Sequence, residues 1–252
     1  MNECEIFSNL KIPCGSKIVM RIDGRNFSQL SQRLKYNKPY DTNFANIMVQ
    51  TSIDFFKEFN PHFIFTFSDE INILLSEIPF SGRIEKLNSV FSSFISGAFT
   101  KSICSDLKSK NLNKVLHSLK PISFDSRVIP LSKSQMVEYF QNRQNETWRN
   151  CINGYAYWSL REDYGREKAI ELLRGKKSKD LHEILFNRGI NITEVPKWQR
   201  RGIGLYKKQT VVEGFNPLSK EMVKSKRMKL FIDKNLPLFD SIFFNSLTGC
   251  LI

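Results

Sequence analysis

Two short acidic segments carry the residue types that phosphoryl-transfer chemistry requires: Arg21-Ile22-Asp23-Gly24-Arg25-Asn26-Phe27 and Phe67-Ser68-Asp69-Glu70. Each carboxylate follows an apolar, strand-like run, residues 17–22 in the first case and 62–67 in the second. Two adjacent strands ending this way present Asp23 and Asp69 at one edge of a sheet. Such a pair is the minimum needed to hold two Mg²⁺ ions, which share their coordination with substrate phosphates. A single Asp at a turn is usually there for turn geometry. The pairing at two strand ends favours chemistry, as does Gly24 directly after Asp23, which permits a close backbone approach to a phosphate or metal. Glu70 is the weaker member, because the second acid of such a tip is often only solvated.

Elements that can position these carboxylates follow from the hydrophobic pattern. Residues 16–23 read as a strand that ends at Asp23-Gly24, and a polar loop then runs to Lys38-Pro39-Tyr40-Asp41. Phe44, Ile47, Met48, Phe55, Phe56 and Phe59 keep helical spacing behind a cap at Asp41 or Thr42. Residues 62–68 and 71–76 read as a hairpin with its acids at the tip and Phe63, Phe65 and Phe67 on one face. Leu87, Val90, Phe91, Phe94, Ile95, Ala98 and Phe99 mark a second helix, and residues 122–131 a further strand. The order β-α-β-β-α-β predicts an α+β fold: a ferredoxin-like palm over residues 1–131, an antiparallel sheet with helices packed on one face.

Beyond residue 131 the character changes, and residues 132–252 read as a helical and basic extension packed on the palm. A long helical stretch reaches Leu160, and a shorter one covers residues 166–173. Between Lys197 and Lys208 there are five cations (Lys197, Arg200, Arg201, Lys207, Lys208) and no acid, interleaved with Trp198 and Tyr206. Cations for phosphates and rings for stacking suit an RNA end better than a merely solvated face. A second basic run covers residues 220–229, and Leu236-Pro237-Leu238-Phe239 reads as a docked tail. Lys38, on a loop stiffened by Pro39 and returning towards Asp23, is a candidate triphosphate contact, with an exposed surface lysine as the competing reading. Asp41 suits a helix cap as well as a ligand contact. The histidines (His62, His117, His182) have no partner at catalytic spacing.

Composition sets the frame. The 252 residues are 41% hydrophobic, enough for one substantial core, and the net charge of +13 favours a polyanionic partner. Five scattered cysteines without a CxxC pair suggest neither a disulfide framework nor a zinc site, which is the pattern of a reducing compartment, read here as the cytoplasm. Glu3 and Glu5 stand where a signal peptide would be basic, and no apolar run reaches the roughly 18 residues of a membrane span.

With these residues in view, the chain resembles the tRNA-histidine guanylyltransferases and their relatives over roughly residues 16–240. The resemblance is carried, in order, by Arg21-Ile22-Asp23-Gly24-Arg25, Lys38-Pro39-Tyr40-Asp41, Ser68-Asp69-Glu70, Phe124-Asp125-Ser126-Arg127, Arg143-Gln144, Glu183-Ile184-Leu185-Phe186 and Arg200-Arg201-Gly202. It implies addition of nucleotides to the 5′ end of a tRNA, opposite in direction to ordinary polymerases. By that resemblance Asp23, the Gly24 carbonyl and Asp69 hold two Mg²⁺ ions, with Glu70 beside them. Gly24, Arg25, Asn26, Phe27, Ser28 and Ser68 line the nucleotide, while Lys38 and Asp41 support its triphosphate. Arg127, Asn150, Lys197, Arg200 and Arg201 are the expected tRNA contacts. ATP and GTP, or other nucleoside triphosphates, are the implied substrates: a 5′-monophosphate is first activated with ATP, and a 5′-triphosphate needs no such step. A homotetramer is also implied, since the tRNA is expected to span subunits.

Two departures bear on the choice within the family. The His-Ile-Asn-Asn signature of the guanylyltransferases is replaced by Trp148-Arg149-Asn150-Cys151, and a histidine of their first metal loop by Ser28. The pattern is closer to the branch that repairs 5′-truncated tRNAs by templated addition than to one that adds a single untemplated G to tRNA-histidine. A nucleotide cyclase shares the palm-like unit, but the basic extension argues against it. A non-catalytic RNA-binding protein is the reading that the intact Asp23 and Asp69 oppose.

Overall fold

The computed structural model describes residues 7–216 and 221–248, so Glu3, Glu5, Cys4, Cys250 and Lys220 lie outside the described residues. Strand β1 (Lys17–Gly24) is followed by α1 (Phe27–Arg33), α2 (Thr42–Phe59), β2 (Phe63–Phe67), β3 (Glu70–Leu74), α3 (Ile84–Ser109), α4 (Asn113–His117) and β4 (Phe124–Leu131). These elements form the anticipated split unit. Helix α5 (Lys133–Leu173), α6 (Ser178–Asn187), α7 (Lys197–Arg201), β5 (Ile203–Asn216), β6 (Glu221–Asp233) and α8 (Ser241–Thr248) complete the chain.

All the strands share one antiparallel sheet in the order β4-β1-β3-β2-β5-β6. The second half of the chain therefore corrects the expectation of a purely helical and basic extension. Its first basic segment forms α7 and the start of β5, which pairs with β2 from Phe63↔Tyr206 to Thr66↔Ile203. The second basic run lies in β6, which pairs only with β5. β-favouring residues such as Val211, Val212 and Phe231 suit this largely exposed ribbon, but the charge density masks the strands in the sequence.

Strand alternation sends one set of side chains to each face. Ile18, Met20 and Ile22 of β1, with Ile64, Ile71 and Ile73, pack under α2 and α3 against Phe55, Phe91 and Phe99. On the opposite face Val19, Phe63, Phe65 and Leu74 meet Met136 and Phe140 of α5 and the C-terminal residues Leu236, Phe239 and Phe244. The sheet is thus covered on both sides, the second cover being supplied by the extension. Each such large apolar side chain contributes roughly 1.5–3 kcal/mol when buried, which is why β3, at the centre, has every residue buried.

Helix α5 starts at a capping box between Ser132 and Gln135 and is broken at Gly165, whose φ of 76° and ψ of 177° are not helical. The buried Gln144 on this helix anchors the tail: its Nε2 donates to the Pro237 carbonyl at 2.9 Å and its Oε1 accepts from the Phe239 amide at 2.9 Å. Arg201 donates to the Leu236 carbonyl at 3.0 Å. The expected docked tail is therefore held by main-chain hydrogen bonds as well as by burial.

Gly202 joins α7 to β5 with φ of 76°, and a Cβ there would lie 2.3 Å from the Phe65 ring and 3.0 Å from the Thr66 carbonyl. Gly202→Ala combines left-handed backbone strain with overpacking, each costing about 1–3 kcal/mol. Denaturant unfolding should show a loss of at least the lower figure; an unchanged midpoint would contradict this packing.

Candidate active site

The cross-strand register builds the centre. Asp23 stands directly opposite Glu70 on β3 and directly opposite Asp125 on β4, so three carboxylates form a row on the face that α5 covers. The next row inward on that face carries Arg21, Asn72 and Arg127. Asp69 lies in the two-residue β2–β3 turn, where Ser68 takes a positive φ of 50°. The Asp69 carbonyl accepts from the Gly24 amide at 3.2 Å, and the Asp69 carboxylate accepts from the Ser68 hydroxyl at 3.0 Å. The two strand ends that carry Asp23 and Asp69 are therefore tied together by backbone.

Glu70 is neither solvated nor free. Arg143 of α5 grips it through Nε and Nη2 at 2.9 and 2.7 Å, and Asn72 donates to it at 2.7 Å. Tyr139 donates to Asn72, and Arg143 also pairs with Glu146 at 2.6 Å. Burial pushes the Glu70 carboxyl upward, while Asn72 and Arg143 pull it back. Glu70, expected beside Asp23 and Asp69 as a catalytic residue, stands in a buried ion pair that ties α5 to the acidic row. The sequence singles out Arg143 only as a family landmark; nothing local to either residue announces a partner in β3.

Asp23 has no such partner among the described residues. Burial, then repulsion from Asp69, Glu70 and Asp125, raises its pKa to about 6, against a weaker opposing effect of Arg21. Asp69 is raised as well, mainly by burial, with Ser68 and Lys38 working against the shift. Asp23 and Asp69 thus stand as two oxygen-donor side chains with raised pKa values, on strand ends joined by the Gly24 amide to Asp69 carbonyl hydrogen bond. Among the described residues no group of three or more His, Cys, Asp or Glu side chains is placed to hold a metal ion by itself.

Beside the carboxylates opens a cavity of about 290 Å³ between α1, the loop 36–41, the start of α2, the β2–β3 turn and α7. Its lining mixes apolar and aromatic residues (Phe44, Met48, Tyr40, Trp198) with polar and charged ones (Ser28, Ser31, Lys38, Ser68, Asp69). Lys38 Nζ donates to the Ser31 hydroxyl, and partial desolvation lowers its pKa against the pull of Asp41 and Asp69. Asp41 acts as the helix cap: its Oδ1 accepts from the Phe44 amide and its Oδ2 from the Asn37 amide, both at 3.0 Å. It shapes the lysine loop through those bonds while also lining the cavity.

Other expected residues divide. Ser28 and Ser68 reach the cavity. Asn26 takes the left-handed conformation that starts α1, and Arg25 is exposed, its amide bonded to the Ser123 carbonyl. Phe27 also borders the cavity, but its ring is core, in edge contact with Phe44, Phe99 and Phe124. Gly24 is needed for that ring, since a Cβ there would sit 2.3 Å from it. Arg127 is half exposed, 3.6 Å from Asp125, and so belongs to the carboxylate site rather than to the Lys197 segment.

The basic segment needs two corrections. Tyr206 is no exposed stacking ring; it packs on Phe63, Phe231 and Phe243 and donates to Asp233 at 2.9 Å. Trp198 faces Tyr40 and the cavity. Arg200 and Arg201 each spend a donor on a backbone carbonyl, Val195 and Leu236, leaving Lys197 and Asn150 as fully exposed candidates.

A sheet-borne carboxylate pair beside a mixed apolar and cationic cavity defines a nucleotide-processing palm, and the comparisons place it. The family model described as tRNAHis guanylyltransferase matches residues 1–132, and that of the Thg1 C-terminal domain matches residues 134–235. A probable tRNA(His) guanylyltransferase of Dictyostelium discoideum is 32% identical over 198 residues, covering 76% of this chain and 75% of its own. The tRNA(His) guanylyltransferase of Saccharomyces cerevisiae is 28% identical, covering 73% and 80%. A bacterial guanylyltransferase-like protein solved with ATP matches with a TM-score of 0.75 at 21% identity over 100% of this chain and 97% of its own, a likeness of fold. The chain belongs to the tRNAHis guanylyltransferase (Thg1) family and is a nucleotidyltransferase.

Two outcomes test this geometry. Arg143→Leu strands Glu70 as a buried, uncompensated charge and should destabilise by about 3–5 kcal/mol at neutral pH, with part of the loss recovered in acid as Glu70 protonates. For Asp23 the folded pKa lies above the ordinary value of 3.8, so the folded state binds the proton more tightly and loses stability as pH rises from about 4 to about 6. Asp23→Asn should therefore melt higher than the metal-free parent at pH 7. After solvent screening the gain is about 1 kcal/mol, or about 2–4 °C, and it should vanish at pH 4. A variant melting lower at pH 7 would contradict the acidic repulsion.

Proposed function

We propose that this protein extends tRNA 5′ ends in the 3′-to-5′ direction, repairing 5′-truncated tRNA by templated addition, with two Mg²⁺ ions held by Asp23, Asp69 and the Gly24 carbonyl. The carboxylate row supports this reading, because burial and neighbouring acids raise Asp23 and burial raises Asp69 despite the opposing pull of Arg21 and Lys38, and a bound cation relieves that cost. Bound there, Mg²⁺ supplies activation of the attacking 3′-hydroxyl and neutralisation of the 5′ phosphate. The chain's own residues do the positioning. The apolar lining of the cavity takes a base, Ser28, Ser31, Ser68 and Lys38 face its phosphates, and Arg127 stands beside the acids to meet the RNA end. Lys197, with Arg200 and Arg201 behind it, steers the tRNA backbone, and the fold can present this surface from a homotetramer.

Templated repair is favoured by what replaced the histidine signature. Trp148 packs on His182 at 5.7 Å between ring centroids, and Cys151 is buried with Tyr40 and α6 residues. The first and last positions of this stretch, Trp148 and Cys151, are occupied with helix packing while Arg149 and Asn150 are exposed, so the position of the signature's leading histidine is not free to read a base. The second reading, untemplated addition of G to tRNA-histidine, rests on the names of the relatives.

Single-nucleotide addition to truncated tRNAs carrying C, A, G or U at the opposing position separates the two. The added base should follow the template, in wild type but not in Asp69→Ala. Incorporation of G whatever the opposing base, with a preference for the histidine anticodon, would refute repair.

A further inference from the structure

A second cavity opens on the far side of Lys38, lined by Lys35, Lys38, Tyr157, Trp158, Arg161 and Arg166 together with polar residues of α1. It shares Ser28, Ser31, Tyr36 and Lys38 with the cavity beside the carboxylates, so the two are continuous through the lysine. Its lining holds four cations and no acid. Among the described residues none of the four is ion-paired, although the neighbouring Asp163 is already committed to Arg188.

Two of the four cations are gathered by one aromatic ring. Arg161 lies 4.5 Å from the Trp158 ring centroid and Lys38 Nζ 5.8 Å from it, and Arg161 also approaches Tyr157 at 5.9 Å. The electron-rich face of an indole attracts cations and so offsets part of their mutual repulsion. Arg166 follows immediately on the break in α5 at Gly165, where the chain leaves its helical course. Preassembled positive charge without a protein counter-ion is the arrangement that binds phosphate oxygens.

We propose that this groove binds the β- and γ-phosphates of a nucleoside triphosphate whose base occupies the adjoining cavity, with Arg161 and Arg166 as phosphate ligands and Trp158 as a positioning residue for Lys38 and Arg161. The proposal rests on the nucleotide reading of that cavity. It adds the subsite that distinguishes a triphosphate from a monophosphate, built where Lys35 and Lys38 of the palm face Arg161 and Arg166 of the extension. The leading alternative occupant, RNA backbone phosphate, shares the chemistry and is separated by the test.

Arg161→Gln, Arg166→Gln and the double variant are surface changes whose folding is checked by thermal melting. Titration calorimetry with GTP, GMP and inorganic pyrophosphate is paired with tRNA binding over a salt series. The double variant should lose about tenfold or more in affinity for GTP and pyrophosphate while GMP affinity stays level and the tRNA salt slope is kept. Trp158→Leu should lose GTP over GMP discrimination in the same sense, and Trp158→Phe should restore most of it. Unchanged pyrophosphate and GTP affinity in the double variant overturns the groove, and the nucleotide cavity still stands if GTP binding falls in Lys38→Gln. A salt slope lowered by about one unit for each arginine, with the GTP to GMP ratio unchanged, assigns the groove to RNA and overturns the proposal. If pyrophosphate binding is lost but wild type binds GTP no better than pyrophosphate, the polyphosphate site stands and the base cavity fails.

Discussion

Three carboxylates in line across β3, β1 and β4 are an electrostatic cost that the rest of this structure is arranged around. Like charges directly opposite on neighbouring strands repel, and these three stand opposite one another by register, not by accident of rotamer. The Glu70 end is gripped by a guanidinium brought from α5 and the Asp125 end has the exposed Arg127 beside it, while Asp23 in the middle has no ion-pair partner among the described residues. The fold must therefore hold Asp23 and Asp69 in place by means other than local electrostatics. It does so with a sheet buried on both faces and a backbone hydrogen bond from Gly24 to the Asp69 carbonyl.

That requirement explains why the two halves of the chain are interdependent. The palm's own helices bury one sheet face, but Phe63 and Phe65 on the other would be exposed without α5 and the tail. Gln144 ties the tail to α5 through main-chain hydrogen bonds, and Arg143, its neighbour, pairs with Glu70. One turn of one helix thus serves stability on one side and the acidic row on the other. Buried ion pairs are weak stabilisers in general; the value of this one lies in fixing where α5 sits above the carboxylates.

The cavity shows the same economy. Asp41 shapes the Lys38 loop by capping α2 and accepting from Asn37, so the lysine's position depends on backbone geometry together with its contacts to Ser31 and Trp158 rather than on an ion pair. Trp198 and Tyr40 add to the apolar lining from α7 and the loop. A basic segment that reads as an RNA surface thereby contributes an aromatic wall to the nucleotide cavity and two arginines to main-chain anchoring. Among the described residues no helix is long and apolar enough to cross a membrane.

The sequence alone determined the β-α-β-β-α-β order, the placement of Asp23 and Asp69 at strand ends, the cap at Asp41 and the docking of Leu236 and Phe239. These are set by period, turn chemistry and short-range steric rules, which act within a few residues. Tertiary structure decided the rest: that Asp125 joins the row, that Glu70 is claimed by Arg143, that Tyr206 packs half-buried against the aromatic core and that Gly24 makes room for Phe27. Each depends on residues remote in sequence meeting through strand register or helix docking. A one-residue slip in register reverses every side chain of a strand, and no local pattern in Arg143, Asp125 or Tyr206 records which partner the register will supply.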